Sequence, residues 1–363
     1  VTDVHTGTPT DTVRLTAAQQ GVCFAQRLDP ADPAYNIAEY ADIPGPVDAE
    51  LLRRAVNHTA SETEALRSTF GERDGVPLQR VRESASLAVP LVDLSGEEDP
   101  HGEALRRTRL CLAEPADLSA GPPARMTLYR LSPSHHLFHQ QVHHLALDGY
   151  AAVLALSRIA EIYTALSLTP NTPPALRPAG SLAALVDEEE AYLASERGAE
   201  DERFWTDHLV GAHPPEVSSG SRPGKRYGTV SVRRAYSRAE TERLKAAAKR
   251  AGTGWPAFVM AALALCLQRE QGVGEVLLGL PVTGRRTPAA RSTRSPMSTG
   301  SGTSPSMVLF TADALPLVRV VMSSPFGRPG SLPSRTLGPV PRSAASVPSG
   351  FSASSAGVFD SVR

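Results

Sequence analysis

The sequence predicts a mixed α/β (α+β) protein built as two lobes. Strand-like and helix-like stretches alternate through the first 290 or so residues. A proline-rich passage, "SLTPNTPPALRPAG" (167–180), interrupts them and reads as a surface crossing between lobes. The chain has 363 residues, 41% hydrophobic and 21% charged, enough to bury two cores.

The elements follow in order. "RLTAAQQGVCFAQRLD" (14–29) reads as a helix starting after Thr16. "YNIAEYADIPG" (35–45) reads as a strand closed by Pro44-Gly45. "DAELLRRAVNHTASETEALRSTF" (48–70) reads as a helix capped by Asp48, with Leu51, Leu52, Ala55 and Val56 at helical spacing. "VPLQRV" (76–81) is a short strand and "EEDPHGEALRRTRLCLAEP" (97–115) a helix. "ARMTLYRLS" (124–132) and "HHLFHQQVHH" (135–144) read as paired strands joined at Ser132-Pro133-Ser134. "YAAVLALSRIAEIYTAL" (150–166) is an amphipathic helix.

Beyond the crossing, 181–209 is charged and helical, 228–237 reads as a strand, and 239–270 as two helices broken at Gly252–Gly254. "VLLGLPVTGRR" (276–286) is a buried strand leading into a loop. After residue 292 the composition turns to Ser, Pro, Gly and Arg. No Glu follows Glu275, and the only later acids are Asp313 and Asp360. Residues 293–363 therefore read as disordered, with one candidate strand at 314–322.

Several function classes are disfavoured. The net charge is −1, so no basic surplus points to nucleic acid. The first residues lack a basic start followed by an apolar run, and no apolar stretch is long enough to predict a membrane span. Three widely spaced cysteines, Cys23, Cys111 and Cys266, without a C-x-x-C, read as reduced thiols of a cytoplasmic protein. None has a basic neighbour that would make it a nucleophile.

The stretch richest in chemistry is "VHHLALDGY" (142–150). Its histidines could be hydrogen-bonded structural groups of a strand. They do not suit a metal: on a strand His139 and His143 lie about 13 Å apart, and His143 and His144 point to opposite faces. The third reading is a catalytic His at a strand end. One imidazole would face a substrate while its neighbour packs inward, Asp148 would brace the loop by pairing with an Arg, and Gly149 would let the backbone approach closely and offer its N–H.

"VHHLALDGY" resembles the active-site motif of condensation domains of nonribosomal peptide synthetases, within the chloramphenicol-acetyltransferase-like acyltransferases. "LTAAQQGVCFAQRLDPADPAYNIAEY" (15–40), "ALRSTFGERDGVPLQRV" (65–81), "AYLASERGAEDERFWTDHL" (191–209) and "VLLGLPVTGRR" (276–286) resemble further family blocks, in family order. One departure is local: Glu62-Thr63-Glu64 stands where the family's second block often reads Arg-His-Glu.

The resemblance implies two chloramphenicol-acetyltransferase-like lobes in a V, with residues 1–175 as the motif-bearing lobe and 176–292 as a partial, incomplete second lobe. It implies amide formation between a donor acyl thioester and an acceptor aminoacyl thioester, each on the phosphopantetheine arm of a carrier protein. No cofactor is then bound by the domain itself. Donor and acceptor carrier proteins and other synthetase modules act in trans, and neither nucleic acid nor membrane is a partner. His144 is implied as the residue that positions the acceptor amine and assists its proton loss. His143 is structural, Asp148 braces the loop with Arg67 as candidate partner, Gly149 gives access, and Trp205 packs. Two alternatives remain: a remnant that at most binds carrier proteins, and a coenzyme-A-dependent acyltransferase. Residues 293–363 resemble no part of the family, and their composition is what a shifted reading frame would give. A truncated or frame-shifted gene fragment is the expectation, with sheet edges and apolar surface exposed in the second lobe.

Overall fold

The computed structural model describes residues 12–211, 235–273, 275–280 and 306–311. A short strand β1 (Thr12–Arg14) leads into α1 (Ala17–Leu28). Thr16 and Gln19 form a reciprocal capping box at its start, satisfying donors that the first turn leaves open. β2 (Asn36–Pro44) and α2 (Ala49–Glu62) follow, with Asp48 accepting from Glu50 and Leu51 at the helix start. The helix expected over 48–70 is shorter than that. It ends at Glu62, a 3-10 turn spans Glu64–Arg67, and Ser68–Arg73 is β3. Thr63 is already extended, and Ser68, Thr69 and Phe70 pair along β4 (Val76–Val81), so strand pairing overrides the helical pattern.

β5 (Leu91–Asp93) runs parallel to β6 (Ala124–Ser132), and α3 (Pro100–Leu112) lies in the connection between them. β6 turns back into β7 (His135–His143), with the pairing register shifting between Arg130 and Ser132. The sheet order is β2-β7-β6-β5; a second sheet reads β1-β4-β3.

β7 is therefore interior to its sheet and covered on both faces. On one face Phe138 and Val142 join Ile37, Met126 and Leu128 in packing against Leu52 and Val56 of α2. The same face carries Ile159 and Ile162 of α4 (Gly149–Leu168). On the other, Leu137 packs with Tyr129, Leu131 and Ala104 of α3. Burying each such aliphatic side chain contributes roughly 1.5–3 kcal/mol. α4 is apolar and long enough to pass as a membrane span by composition, yet its Ala151, Ala155, Ile159, Ile162 and Leu166 are core residues.

The stretch expected to be one charged helical region is two helices, α5 (Leu182–Leu193) and α6 (Glu196–Leu209), restarted by the Ser195 cap. α5 packs against β1. α7 (Arg238–Arg250) and α8 (Trp255–Gln271) are separated near Gly252 and Gly254, as expected. β8 (Glu275–Leu280) pairs antiparallel with β9 (Ser306–Thr311), a strand inside the stretch read as lacking regular structure. Of the strand expected at 228–237 only 235–237 are described, and they are not strand; the strand expected at 314–322 and the loop at 281–286 lie outside the described residues. Ala264 and Met260 of α8 pack on Leu278, while Trp255, Val259 and Leu263 form an exposed stripe along the helix.

Candidate active site

The motif sits where β7 ends and α4 begins. His143 is the last residue of β7 and is buried; His144 follows it half-buried, and its N–H donates to the Tyr35 carbonyl at 2.8 Å. The chain then turns tightly. Ala146 N–H donates back to His143 O at 2.8 Å, and Leu145, Ala146 and Leu147 are wholly buried. This turn fixes the backbone on both sides of His144.

His143 is held at both ring nitrogens. Leu145 N–H donates to Nδ1 at 3.2 Å, so Nδ1 carries no proton. Nε2 therefore bears the hydrogen and donates to Gln26 Oε1 at 3.1 Å. Burial, with a smaller contribution from the neighbouring His144, pushes His143 down to about 3. It is a neutral, locked support. The Tyr35 ring lies tilted beside it, 6.2 Å between centroids.

His144 differs. Its Nδ1 is enclosed and makes no hydrogen bond. Burial lowers its pKa, and the Asp148 carboxylate pulls in the opposite direction. At neutral pH the imidazole is thus uncharged with a lone pair to offer, the state a proton acceptor needs. Another histidine of β7, His139, is also buried with neither nitrogen bonded, and burial lowers it to about 4.

Asp148 caps α4, its Oδ1 accepting from Ala151 N–H at 2.7 Å. Gly149 is the first residue of that helix. The first-turn N–H groups of a helix lack intrahelical acceptors and carry the positive end of its dipole. Asp148 therefore serves as the helix cap. Arg67, its expected partner, has another job: its Nη1 donates to the carbonyls of Arg82 and Glu83, and its Nε is buried without a hydrogen bond. The side chain ties the turn before β3 to the chain leaving β4. Trp205 packs edge-to-face with Phe204 in α6, centroids 5.4 Å apart.

The residues that brace the motif come from α1, a helix with no catalytic signature in its residues. Gln19 donates to Leu145 O at 2.9 Å and Gln26 receives His143. Both are glutamines in an ordinary amphipathic helix, a type and context with no distinguishing pattern. The thiols also differ from expectation: Arg125 lies against Cys111, and Arg27 lies near Cys23, whose pKa burial nevertheless raises.

Comparison with known proteins places this geometry. The profile of the Condensation domain family matches residues 10–295. The isonitrile lipopeptide synthase of Streptomyces coeruleorubidus is 37% identical over 283 residues, covering 77% of this chain and 19% of that protein. The dimodular nonribosomal peptide synthase of Bacillus subtilis (strain 168) is 36% identical over 272 residues, covering 75% of this chain and 11% of the synthase. The chain thus spans about a fifth or less of the length of these relatives. Among solved structures, the first condensation domain of the calcium-dependent antibiotic synthetase, in complex with a substrate analogue, superposes with a TM-score of 0.71 at 33% identity. That superposition covers 83% of this chain and 70% of the other. Fold and sequence agree: the chain belongs to the condensation-domain family of nonribosomal peptide synthetases, whose members are amide-forming acyltransferases.

Proposed function

We propose that this chain forms an amide between a donor acyl thioester and an acceptor aminoacyl thioester, both delivered by carrier proteins. The observation that carries the reading is His144: a neutral, half-buried imidazole at the end of β7, held in a turn whose next three side chains are apolar and wholly buried. In the reaction the acceptor amine attacks the donor carbonyl carbon, a carbon–nitrogen bond forms, the carbon–sulfur bond breaks, and the thiol leaves with a proton. A His144 nitrogen hydrogen-bonds the amine and relieves the positive charge growing on it. Gly149 and the start of α4 offer N–H groups and a positive dipole end towards negative charge on the carbonyl oxygen. His143 and Asp148 hold the turn and the helix start in place.

The substrates ride on phosphopantetheine arms belonging to the carrier proteins, other synthetase modules supply those partners, and the reaction takes place in the cytoplasm. The test uses donor and acceptor carrier proteins loaded with acyl and aminoacyl groups. Amide product from the wild-type chain, lost in His144→Ala with carrier binding intact, supports the reading. Carrier binding without product would make the chain a non-catalytic binder. Product formed from free acyl-coenzyme A in place of the donor carrier would make it a coenzyme-A-dependent acyltransferase.

A further inference from the structure

Glu62, the last residue of α2, has a fully buried side chain gripped by Arg158 of α4. Oε2 accepts from Nε at 2.8 Å and Oε1 from Nη2 at 2.7 Å, a two-pronged pair. Such a buried pair gives up the hydration of two ions, and hydrocarbons of similar volume often hold a core as well. Core stability is thus a poor account of why it is there.

Apart from His58 Nε2 of the same helix, 3.4 Å from Oε1, the remaining contacts point to the crossing between the lobes. Glu62 Oε1 also accepts the backbone N–H of Arg177 at 2.8 Å. The Glu62 carbonyl accepts from Ala179 N–H at 2.8 Å, and Glu64 Oε2 accepts from Leu182 N–H, the first residue of α5, at 2.7 Å. Two amides of the crossing and the first of α5 are thus held within six residues, all by the end of α2 and the turn after it. From α5 the linkage continues. Glu189 Oε2 accepts the N–H of Ala17 at the start of α1 at 2.8 Å, and Glu190 pairs with Arg14. α1 in turn carries Gln19 and Gln26, which brace the turn around His144.

We propose that Glu62 is a positioning residue for the condensation site. Its carboxylate, neutralised by Arg158, pins the crossing to the first lobe, and the pinned crossing seats α5, whose Glu189 holds the start of α1 against the motif. A cation at position 62, which the resembled family block often carries, could accept neither the Arg158 bonds nor the Arg177 N–H. The consequence for chemistry rests on His144 being the reacting group; the anchoring of the crossing does not.

Two double variants of the full chain separate anchoring from packing. Glu62→Met/Arg158→Met keeps the buried volume and removes the side-chain acceptor of the Arg177 N–H, while the Glu62 carbonyl and the Glu64 carboxylate keep theirs. Glu62→Gln/Arg158→Met keeps a neutral acceptor for Arg177. The readouts are hydrogen exchange of peptides covering 174–183 and 135–143, and turnover with loaded carriers. In Met/Met, exchange over 174–183 should rise at least tenfold with 135–143 unchanged, and kcat should fall about tenfold at unchanged KM. Gln/Met should restore most of both. Wild-type exchange over 174–183 in Met/Met, an equal rise in both peptides, or failure of that variant to fold would each overturn the proposal. Absence of product from the wild-type chain would instead count against His144 chemistry, leaving the exchange result to decide the anchor.

Discussion

Gln19 of α1 donates its side-chain amide to the carbonyl of Leu145, one residue past His144, at 2.9 Å, while the same side chain accepts from Thr16 N–H at 3.0 Å. One buried amide thus closes the helix start and holds the turn at the site. Gln19→Leu would strand both backbone groups, and a buried unsatisfied polar group costs about 1–3 kcal/mol. The expected outcome is a loss of about 2 kcal/mol or more in chemical denaturation, accompanied by reduced amide formation.

His144 titrates below the ordinary imidazole range because it is buried. Amide formation should therefore be flat through neutral pH and fall only on acidification below that range, when the imidazole takes a proton. The Asp148 carboxylate opposes the shift, so Asp148→Asn, which still offers a cap oxygen, should move the acid limb further down. An acid limb that moves upward in Asp148→Asn would contradict this electrostatic assignment.

Glu39 of β2 accepts from Gln140 Nε2 at 2.7 Å and is pushed by burial from 4.5 up to about 7. A carboxyl with a raised folded-state pKa favours the folded state fully below about 4.5, and that advantage is lost as pH rises through 7. Glu39→Gln should thus leave stability unchanged at acid pH and increase it above pH 7, by at most about 3 kcal/mol. Denaturation curves of both proteins on either side of that window check the sign. Gln140 Oε1 is buried without a hydrogen bond, and a protonated Glu39 is a ready donor for it.

Arg67 and Asp148 act on different partners, the carbonyls of Arg82 and Glu83 for one and the start of α4 for the other. Their substitutions should add. In a double-mutant cycle with Arg67→Met and Asp148→Ala the coupling should stay within about 0.5 kcal/mol, and Asp148→Ala alone should cost about 1 kcal/mol through the lost cap. A coupling of several kcal/mol would restore the direct pairing that the sequence suggested.

The family match stops at residue 295, close to the change in composition after 292. The coding DNA beyond codon 292 is expected to give a family-like continuation in another frame. If neither other frame does so, the frame-shift reading of 293–363 fails.

Much of this was legible in the sequence because local chemistry and tertiary structure agree there. Thr16 and Asp48 each precede an amphipathic run, and each caps a helix, whereas the cap role of Asp148 was not read from the sequence. The alternation in "HHLFHQQVHH" gave a strand, since β7 is covered on two faces and cannot be polar on either without a reason. Other features were illegible for physical reasons. Ser68–Phe70 looked helical until β4 supplied its partner. Leu91–Asp93 is only three residues long and exists because β6 pairs with it. Gln19, Gln26 and the Glu62–Arg158 pair act over separations of 96 to 126 residues, and no local pattern marks such contacts.

The locked ring of His143 has one more consequence. With its hydrogen committed to Gln26 and its lone pair to Leu145 N–H, this imidazole neither accepts nor releases a proton unless the turn opens. His143 thus gives His144 neither a proton donor nor a proton acceptor while the turn stays closed.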